Sequence, residues 1–252
     1  MKKISFILAT YKNVAYIDEC LKSITEQEGL TEGNYEILLG IDNCRDTFFW
    51  FLNNKDKYKN LKCFWFVKKS KVSIIQNTLV DLSSGTHLIF FGTDDIMIPG
   101  AIRKILDLNK NYIRYYYYNF NQEGIEKTWL TTNYIDGSFF ISKEIFQQAG
   151  GYIDWVCSSD SELIHRLNLH NINFDIIPEP LFYYRRHNKS LTEDLNTNHK
   201  SQLRIEYFKW IDFIKKSQPS AIPLKIKPVI GTYIELTKNI SNLFIVLKFL
   251  KK

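Results

Sequence analysis

The segment with the most chemical content is Phe90-Phe91-Gly92-Thr93-Asp94-Asp95, in which two adjacent carboxylates follow an apolar stretch. Like charges held together beside a buried strand are costly unless something positive is bound. Magnesium and manganese ions prefer oxygen ligands, and Mg²⁺ usually completes its shell with substrate phosphates. Asp94 and Asp95 therefore predict a site for Mn²⁺ or Mg²⁺. The alternative is a solvated turn in which Asp95 caps a helix.

Two further carboxylates stand where a ligand site is expected. Asp42 follows the apolar stretch 35–41 and is placed to accept a hydrogen bond from a nucleobase or a ribose, although Asp is also an ordinary turn residue. Asp160 precedes the helical stretch 163–167. The start of a helix keeps a carboxylate ionised, which suits a general base, and a simple N-cap is the alternative.

A basic cluster, Arg185-Arg186-His187, follows an apolar stretch near residue 184. A diphosphate leaving group needs such hydrogen-bond donors. A solvated basic face is the alternative interpretation.

The first 110 residues alternate short apolar strands with amphipathic helices. Strands are predicted at 3–10, 35–41, 61–67 and 86–91, and helices at 14–27 and 73–83. This alternation is typical of an α/β domain with a mostly parallel central sheet and flanking crossover helices. Ligands of such sheets bind at the carboxyl ends of the strands, which places Thr10-Tyr11, Asp42-Asn43 and residues 92–95 on one rim.

The pattern after residue 110 is less regular. It predicts a strand at Tyr115–Tyr118, a turn at Asp136–Ser138, helices within 143–170 on both sides of Gly150-Gly151, and a turn at Pro178 and Pro180. Two amphipathic helices, 197–217 and 230–250, are expected around a proline-containing linker. We divide the chain into a domain at 1–195, with halves 1–110 and 111–195, and a basic helical C-terminal extension at 196–252.

These segments, in this order, resemble the inverting GT-A glycosyltransferases of family 2, and the resemblance covers residues 3 to about 192. It implies a Rossmann-like GT-A fold that moves a sugar from a nucleotide-sugar to an acceptor hydroxyl with a bound metal ion. The roles it implies are nucleotide binding by Thr10, Tyr11, Asn13, Asp42, Asn77 and Asp94, metal binding by Asp94, Asp95 and His187, phosphate binding by Arg185 and Arg186, and catalysis by Asp160 as the base.

Two positions depart from the family pattern. Gly92 stands where the family usually has the first Asp of its acidic motif, and Ser159 stands where a Glu usually precedes the base. A non-catalytic nucleotide-sugar or glycan-binding module of the same fold is therefore the competing hypothesis. A nucleotidyltransferase would carry a glycine-rich phosphate loop after the first strand, and Thr10–Asn13 has none.

The resemblance implies a nucleotide-sugar donor, with a UDP-sugar favoured, and a glycan or lipid-linked acceptor. Residues 201–252 carry 10 Lys+Arg against 3 Asp+Glu, whereas residues 1–200 carry 23 against 24. The near-neutral main domain argues against a nucleic-acid partner, and the basic tail predicts peripheral membrane contact or dimerisation through 230–252, with packing on its own domain as the alternative. Four scattered cysteines without metal-ligand spacing favour a reduced, cytoplasmic setting, with the chain peripheral at the inner face of a membrane in the lipid-linked case.

Overall fold

The computed structural model describes residues 2–121, 124–128, 137–187, 190–237 and 240–250. Within these ranges the strands are β1 Ile4–Thr10, β2 Tyr35–Asp42, β3 Leu61–Phe66, β4 His87–Phe90, β5 Ile96–Met97, β6 Tyr112–Asn121, β7 Gly124–Thr128, β8 Phe139–Ser142, β9 Asp175–Arg185 and β10 Tyr233–Glu235. The α-helices are α1 Val14–Thr25, α2 Arg45–Asn54, α3 Val72–Leu82, α4 Ala101–Leu108, α5 Lys143–Gln148, α6 Ser159–Leu169, α7 Gln202–Lys216 and α8 Ile240–Leu250, and a short 3₁₀ turn covers Lys55–Lys57.

One sheet runs through the molecule in the order β10-β3-β2-β1-β4-β8-β6-β9-β5, with β7 paired to β6. The strands β3, β2, β1 and β4 are parallel neighbours, and β6 and β9 form a second parallel pair. The antiparallel strand β8 joins these two parallel groups. The predicted α/β fold with a mostly parallel central sheet is confirmed.

Alternating side chains bury both faces of the sheet. Phe6 and Leu8 of β1 belong to the core on one face, whereas Ile7 belongs to the core on the other. This period of two is what a strand covered on both sides by helices requires. Helix α1 covers the first face and α3 the second, so the carboxyl ends of the parallel strands form one open rim.

The sequence analysis missed α2. Its buried residues Phe48 and Phe51 lie three apart and pack on the core beside α1. This is helical spacing, and the turn-forming residues after β2 obscured it.

The turn predicted at Pro178 and Pro180 is wrong. Both prolines lie inside β9, which is continuous from Asp175 to Arg185. The pairing with β6 shifts there, because Ile177 faces Tyr115 whereas Pro180 faces Tyr116. Such a bulge accommodates prolines that cannot donate a ladder hydrogen bond.

The helix predicted at 230–250 is also wrong in its first half. Residues Tyr233–Glu235 form β10, which pairs antiparallel with β3 at the edge of the sheet, and only α8 is helical. The helix predicted at 197–217 is present as α7, where the Ser201 hydroxyl caps the first turn by accepting from the Arg204 N–H at 3.2 Å. The turn predicted at Asp136–Ser138 lies partly outside the described residues, as Asp136 is not among them.

Across the described ranges, no helix has the length and apolar character needed to cross a membrane.

Candidate active site

A cleft of about 1210 Å³ opens at the carboxyl rim of the parallel strands. Seven of the residues predicted to form the site line it: Tyr11, Asn13, Asp42, Asp94, Asp95, Asp160 and Arg186. Thr10, Asn77, Arg185 and His187 are not part of its wall. The fold thus brings together side chains that are up to 175 positions apart in the chain, from Tyr11 to Arg186.

One part of the cleft wall lies beyond β1, β2 and β3. The ring of Tyr11 is 37% exposed, and the Lys69 ammonium lies 3.9 Å from its centroid. The Asp42 carboxylate accepts a hydrogen bond of 2.6 Å from the Ser70 N–H. Burial raises the pKa of Asp42, while that hydrogen bond and the Lys69 charge act in the opposite direction. An aromatic face beside a buried acceptor suits a nucleobase and its ribose.

The acidic segment 92–95 is a tight turn rather than a solvated helix cap. Asp95 is 3% exposed, and the next residues form β5 instead of a helix, so the alternative of a solvated N-cap is wrong. The Asp95 Oδ1 atom accepts from the Arg185 N–H at 3.0 Å. The Asn13 amide donates to the Thr93 hydroxyl at 3.1 Å, which ties the turn to the start of α1.

The chemistry of the donors in this turn suits a divalent cation. A Cβ atom at Gly92 would stand 2.6 Å from Asp95 Oδ2 and 2.8 Å from Asp94 Oδ1, so an oxygen of each carboxylate lies close to the glycine. Oxygen pairs of this kind suit a hard ion. No group of three His, Cys, Asp or Glu side chains able to hold an ion occurs in the described part of the chain, so substrate phosphates would have to complete the shell.

Arg185 and His187 do not line the cleft, but both contact Asp94 of the acidic turn. The Arg185 guanidinium donates to the Asp94 carbonyl at 2.9 Å and to Glu19, and it packs on the rings of Tyr16 and Phe120. The His187 Nε2 atom lies 2.8 Å from Asp94 Oδ2. Arg185 therefore positions the acidic turn, whereas His187 reaches the predicted metal ligand directly.

Arg186 is the member of the basic cluster that faces the cleft. Its Nε–H donates to Asn119 Oδ1 at 2.9 Å, and its Nη1 lies 3.5 Å from Glu193. Nearby, the Tyr184 hydroxyl pairs with the Thr192 hydroxyl at 3.1 Å. Burial and the charge of Asp95 raise the pKa of Tyr184 to about 12, so this hydroxyl remains protonated at neutral pH.

The predicted base, Asp160, also lines the cleft and belongs to the first turn of α6. Burial raises the pKa of its carboxyl, opposed by the Ser161 N–H and by the charges of Arg204 and Arg114. Gly137 leaves room beside it, because a Cβ atom there would stand 3.2 Å from Asp160 Oδ2. A half-buried carboxylate with a raised pKa facing a cleft has the properties of a proton acceptor.

Two predicted nucleotide residues are placed elsewhere. The Asn77 side chain donates to the Tyr152 carbonyl at 2.8 Å and accepts from the Tyr152 N–H at 2.9 Å, which fixes the turn after Gly151. Thr10 is buried at the end of β1, and its hydroxyl has no hydrogen-bond partner among the described residues. The structure therefore assigns Asn77 a structural contact and leaves Thr10 beneath the cleft floor.

The sequence analysis missed several residues that line the cleft. Lys68, Lys69 and Lys71 follow β3 directly, so their position after a parallel strand was the signal that could have identified them. Trp155 and Arg204 carry no such signal. The ring of Trp155 stacks on Tyr207 of α7 at 4.2 Å, a contact that only the folded chain creates.

Solved structures of other proteins share this fold. Two crystal structures of S. aureus TarS 1–349 match the chain. The complex with UDP-GlcNAc has a TM-score of 0.69 and 14% identity, and the match covers 84% of this chain and 66% of that chain. The complex with UDP has a TM-score of 0.63 and 15% identity, and the match covers 89% of this chain and 76% of that chain. A longer TarS structure has a TM-score of 0.63 and 14% identity, and the chain spans 44% of it.

At these identities the structural likeness shows the fold alone. No curated protein matches the chain in sequence. The family model described as "Glycosyl transferase family 2" matches residues 5–166, which is more than half of the chain. The chain belongs to glycosyltransferase family 2.

Proposed function

We propose that this chain transfers a sugar from a nucleoside diphosphate sugar, a UDP-sugar, to a hydroxyl of a glycan or lipid-linked acceptor, with inversion at the anomeric carbon. The observation that carries the proposal is the cleft itself. It is lined by the Tyr11 ring and the buried acceptor Asp42, by the adjacent carboxylates of Asp94 and Asp95, and by the half-buried Asp160, and these groups support the proposal. The UDP-GlcNAc bound by S. aureus TarS supports the choice of donor.

The nucleoside would lie between Tyr11 and Asp42, within reach of the lysines that follow β3. The diphosphate would face Asp94 and Asp95, with Arg186 as a donor from the side. A Mn²⁺ or Mg²⁺ ion held by Asp94 and Asp95, with His187 next to Asp94, would supply Lewis-acid stabilisation of the departing diphosphate.

In this arrangement Asp160 takes the proton of the acceptor hydroxyl. The acceptor oxygen then attacks the anomeric carbon from the side opposite the nucleotide, the bond to the diphosphate breaks, and the configuration inverts. Asp160 and the acidic turn line the same cleft, which supports a single displacement, since base and leaving group must flank the sugar.

The proposal predicts the effect of replacing Asp160 with Asn. We expect donor binding to persist and turnover to fall by roughly 10²–10⁴-fold, the usual contribution of general base catalysis. The measurements are UDP-GlcNAc binding by calorimetry and release of UDP in the presence of MnCl₂. Asp107→Asn, at an exposed position paired with Arg103, is the matched control. Near-normal turnover in Asp160→Asn would remove Asp160 from the proposed role.

The competing function is a non-catalytic nucleotide-sugar or glycan-binding module, favoured by the departures at Gly92 and Ser159. The same experiment separates the two. A chain that binds UDP-GlcNAc with Mn²⁺ but releases no UDP over long incubation, with or without glycan acceptors, would be a binding module.

A further inference from the structure

Arg204 is an anomalous charge in the cleft wall. It belongs to α7, is only 7% exposed and lines the same cleft as Asp160. Tyr207, one turn further along α7, stacks on Trp155 at 4.2 Å, and the Trp155 carbonyl accepts from the Ser159 hydroxyl at 3.4 Å, so α7 packs against the start of α6. Its Nε–H donates to the Thr197 carbonyl at 2.6 Å. Over the ranges that the structure describes, no carboxylate oxygen lies within 4.0 Å of its nitrogens. Buried guanidinium groups are normally paired, because an uncompensated charge is costly to bury.

The side chains that interact electrostatically with Arg204 indicate its role in the cleft. Arg204 acts electrostatically on Asp160, Cys157 and His199. The other groups that act on these three side chains are the Arg114 guanidinium on β6, the Arg186 guanidinium, the Ser158 side chain, the Ser161 N–H of α6 and the Glu193 carboxylate. Asp160 is thus a carboxylate of the cleft wall whose charged form is favoured by the charge of Arg204.

We propose that Arg204, contributed by the C-terminal extension, is a positioning residue for the reaction: its fixed charge keeps the Asp160 carboxyl ionised and thus able to accept a proton. The inference rests on the proposed function of Asp160 as the base. It also makes the extension part of the catalytic apparatus, since α7 lies beyond the segment that the family model covers.

The physical reason is that two opposing effects set the pKa of Asp160. Burial raises the pKa of this carboxyl, and the charge of Arg204 lowers it. Without Arg204 the pKa rises further, so Asp160 is protonated, and the base is lost, at a higher pH than in the wild type. The loss of activity on acidification therefore shifts towards higher pH, while the rate on the alkaline side stays close to wild type.

The test uses hydrolysis of UDP-GlcNAc with MnCl₂, which needs no knowledge of the acceptor. We expect Arg204→Gln to lose roughly three- to tenfold in kcat on the acidic side of the profile, with a shifted acid limb and an unchanged alkaline plateau. Arg204→Lys keeps the charge and should restore the position of the acid limb. Should Arg204→Gln fail to fold, Arg204→Met retains the apolar stem and takes its place.

A matched control separates this role from support of α7. Ser201→Ala removes the helix cap at the same turn but leaves the Arg204 charge, so it should lower the Tm without moving the acid limb. An acid limb in Arg204→Gln that coincides with that of the wild type overturns the proposal, and so does an equal shift in Arg204→Lys. A wild-type chain that hydrolyses no donor is a different result, which contradicts the proposed function instead.

Discussion

Gly92 decides the geometry of the acidic turn at the scale of single residues. The family pattern places an Asp there, yet a side chain at this position would meet the carboxylates of both Asp94 and Asp95. In this chain Gly92 replaces that Asp, and the carboxylates of Asp94 and Asp95 occupy the space next to the glycine. Two carboxylates together with substrate phosphates are a normal shell for Mg²⁺.

This geometry predicts the effect of Gly92→Ala. The added methyl group would force both carboxylates apart, so we expect the affinity for Mn²⁺, measured by titration in the presence of UDP, to fall roughly 10–100-fold, the usual range for disturbed metal-site geometry. Asp95→Ala should weaken the same titration. Thermal unfolding without metal serves as the control for folding. An unchanged Mn²⁺ titration in both variants would contradict the assignment of the ion to this turn.

Helix α6 connects the catalytic and structural roles at the scale of elements. Its first turn carries both Asp160 and Glu162, and Glu162 pairs at 2.7 Å with the fully buried Arg166, which lies one turn further along. The Arg166 guanidinium also donates to the carbonyls of Ala149, Gly151 and Leu224. One side chain thereby fixes α6 to the glycine turn and to the linker after α7.

The glycine turn itself is shaped by that linker. Gly150 has a φ of +76°, and a Cβ atom there would lie 2.0 Å from the carbonyl oxygen of Ile226. The Ile226 N–H donates to the Ala149 carbonyl at 3.2 Å. Only glycine permits this approach, so Gly150 is required where the C-terminal linker passes against the domain.

Arg166→Met should therefore destabilise the whole domain. It leaves Glu162 buried without a partner and frees three carbonyls, and breaking a buried pair in this way typically costs about 3–5 kcal/mol. Urea unfolding measures the loss, with the exposed Arg103→Met as the control. A loss as small as that of Arg103→Met would show that the pair contributes little to the free energy of unfolding.

At the scale of the whole molecule, the extension is joined to the main domain through the sheet and the core. Its strand β10 pairs with β3, and Val246 of α8 is fully buried. Leu243 and Leu247 pack on the same core, whereas Ile245 is 42% exposed. Most of the described apolar side chains of the tail thus pack on its own domain, and the alternative of self-packing is the one this arrangement supports.

Membrane contact through 230–252 consequently has to rely on exposed groups. We propose that such contact is peripheral and electrostatic, because the basic excess of the chain lies in residues 201–252. The full chain should then co-sediment with anionic vesicles and be released by salt, and Lys248→Glu should weaken the binding. Deletion of 230–252 is unsuitable, since it removes β10. Equal recovery with anionic and neutral vesicles would end the membrane proposal and leave dimerisation to be tested by ultracentrifugation.

The sequence alone determined which residues meet at the rim of the parallel strands. Strand alternation and crossover helices are local patterns, and they place the ends of β1, β2 and β4 side by side whatever the rest of the chain does. Tyr11, Asp42, Asp94 and Asp95 could be predicted for this reason, and Asp160 followed from the resemblance and the helix start.

Tertiary structure alone decided the contacts between distant segments. Arg185 reaches the carbonyl of Asp94, Asn77 fixes Tyr152, and Arg204 shares the cleft wall with Asp160, although no periodicity links these positions. The short edge strand β10 and the bulge at Pro178 depend in the same way on the partner strand that each one meets. Local patterns specify an element and its buried face, whereas the environment of a side chain depends on which other elements pack against it.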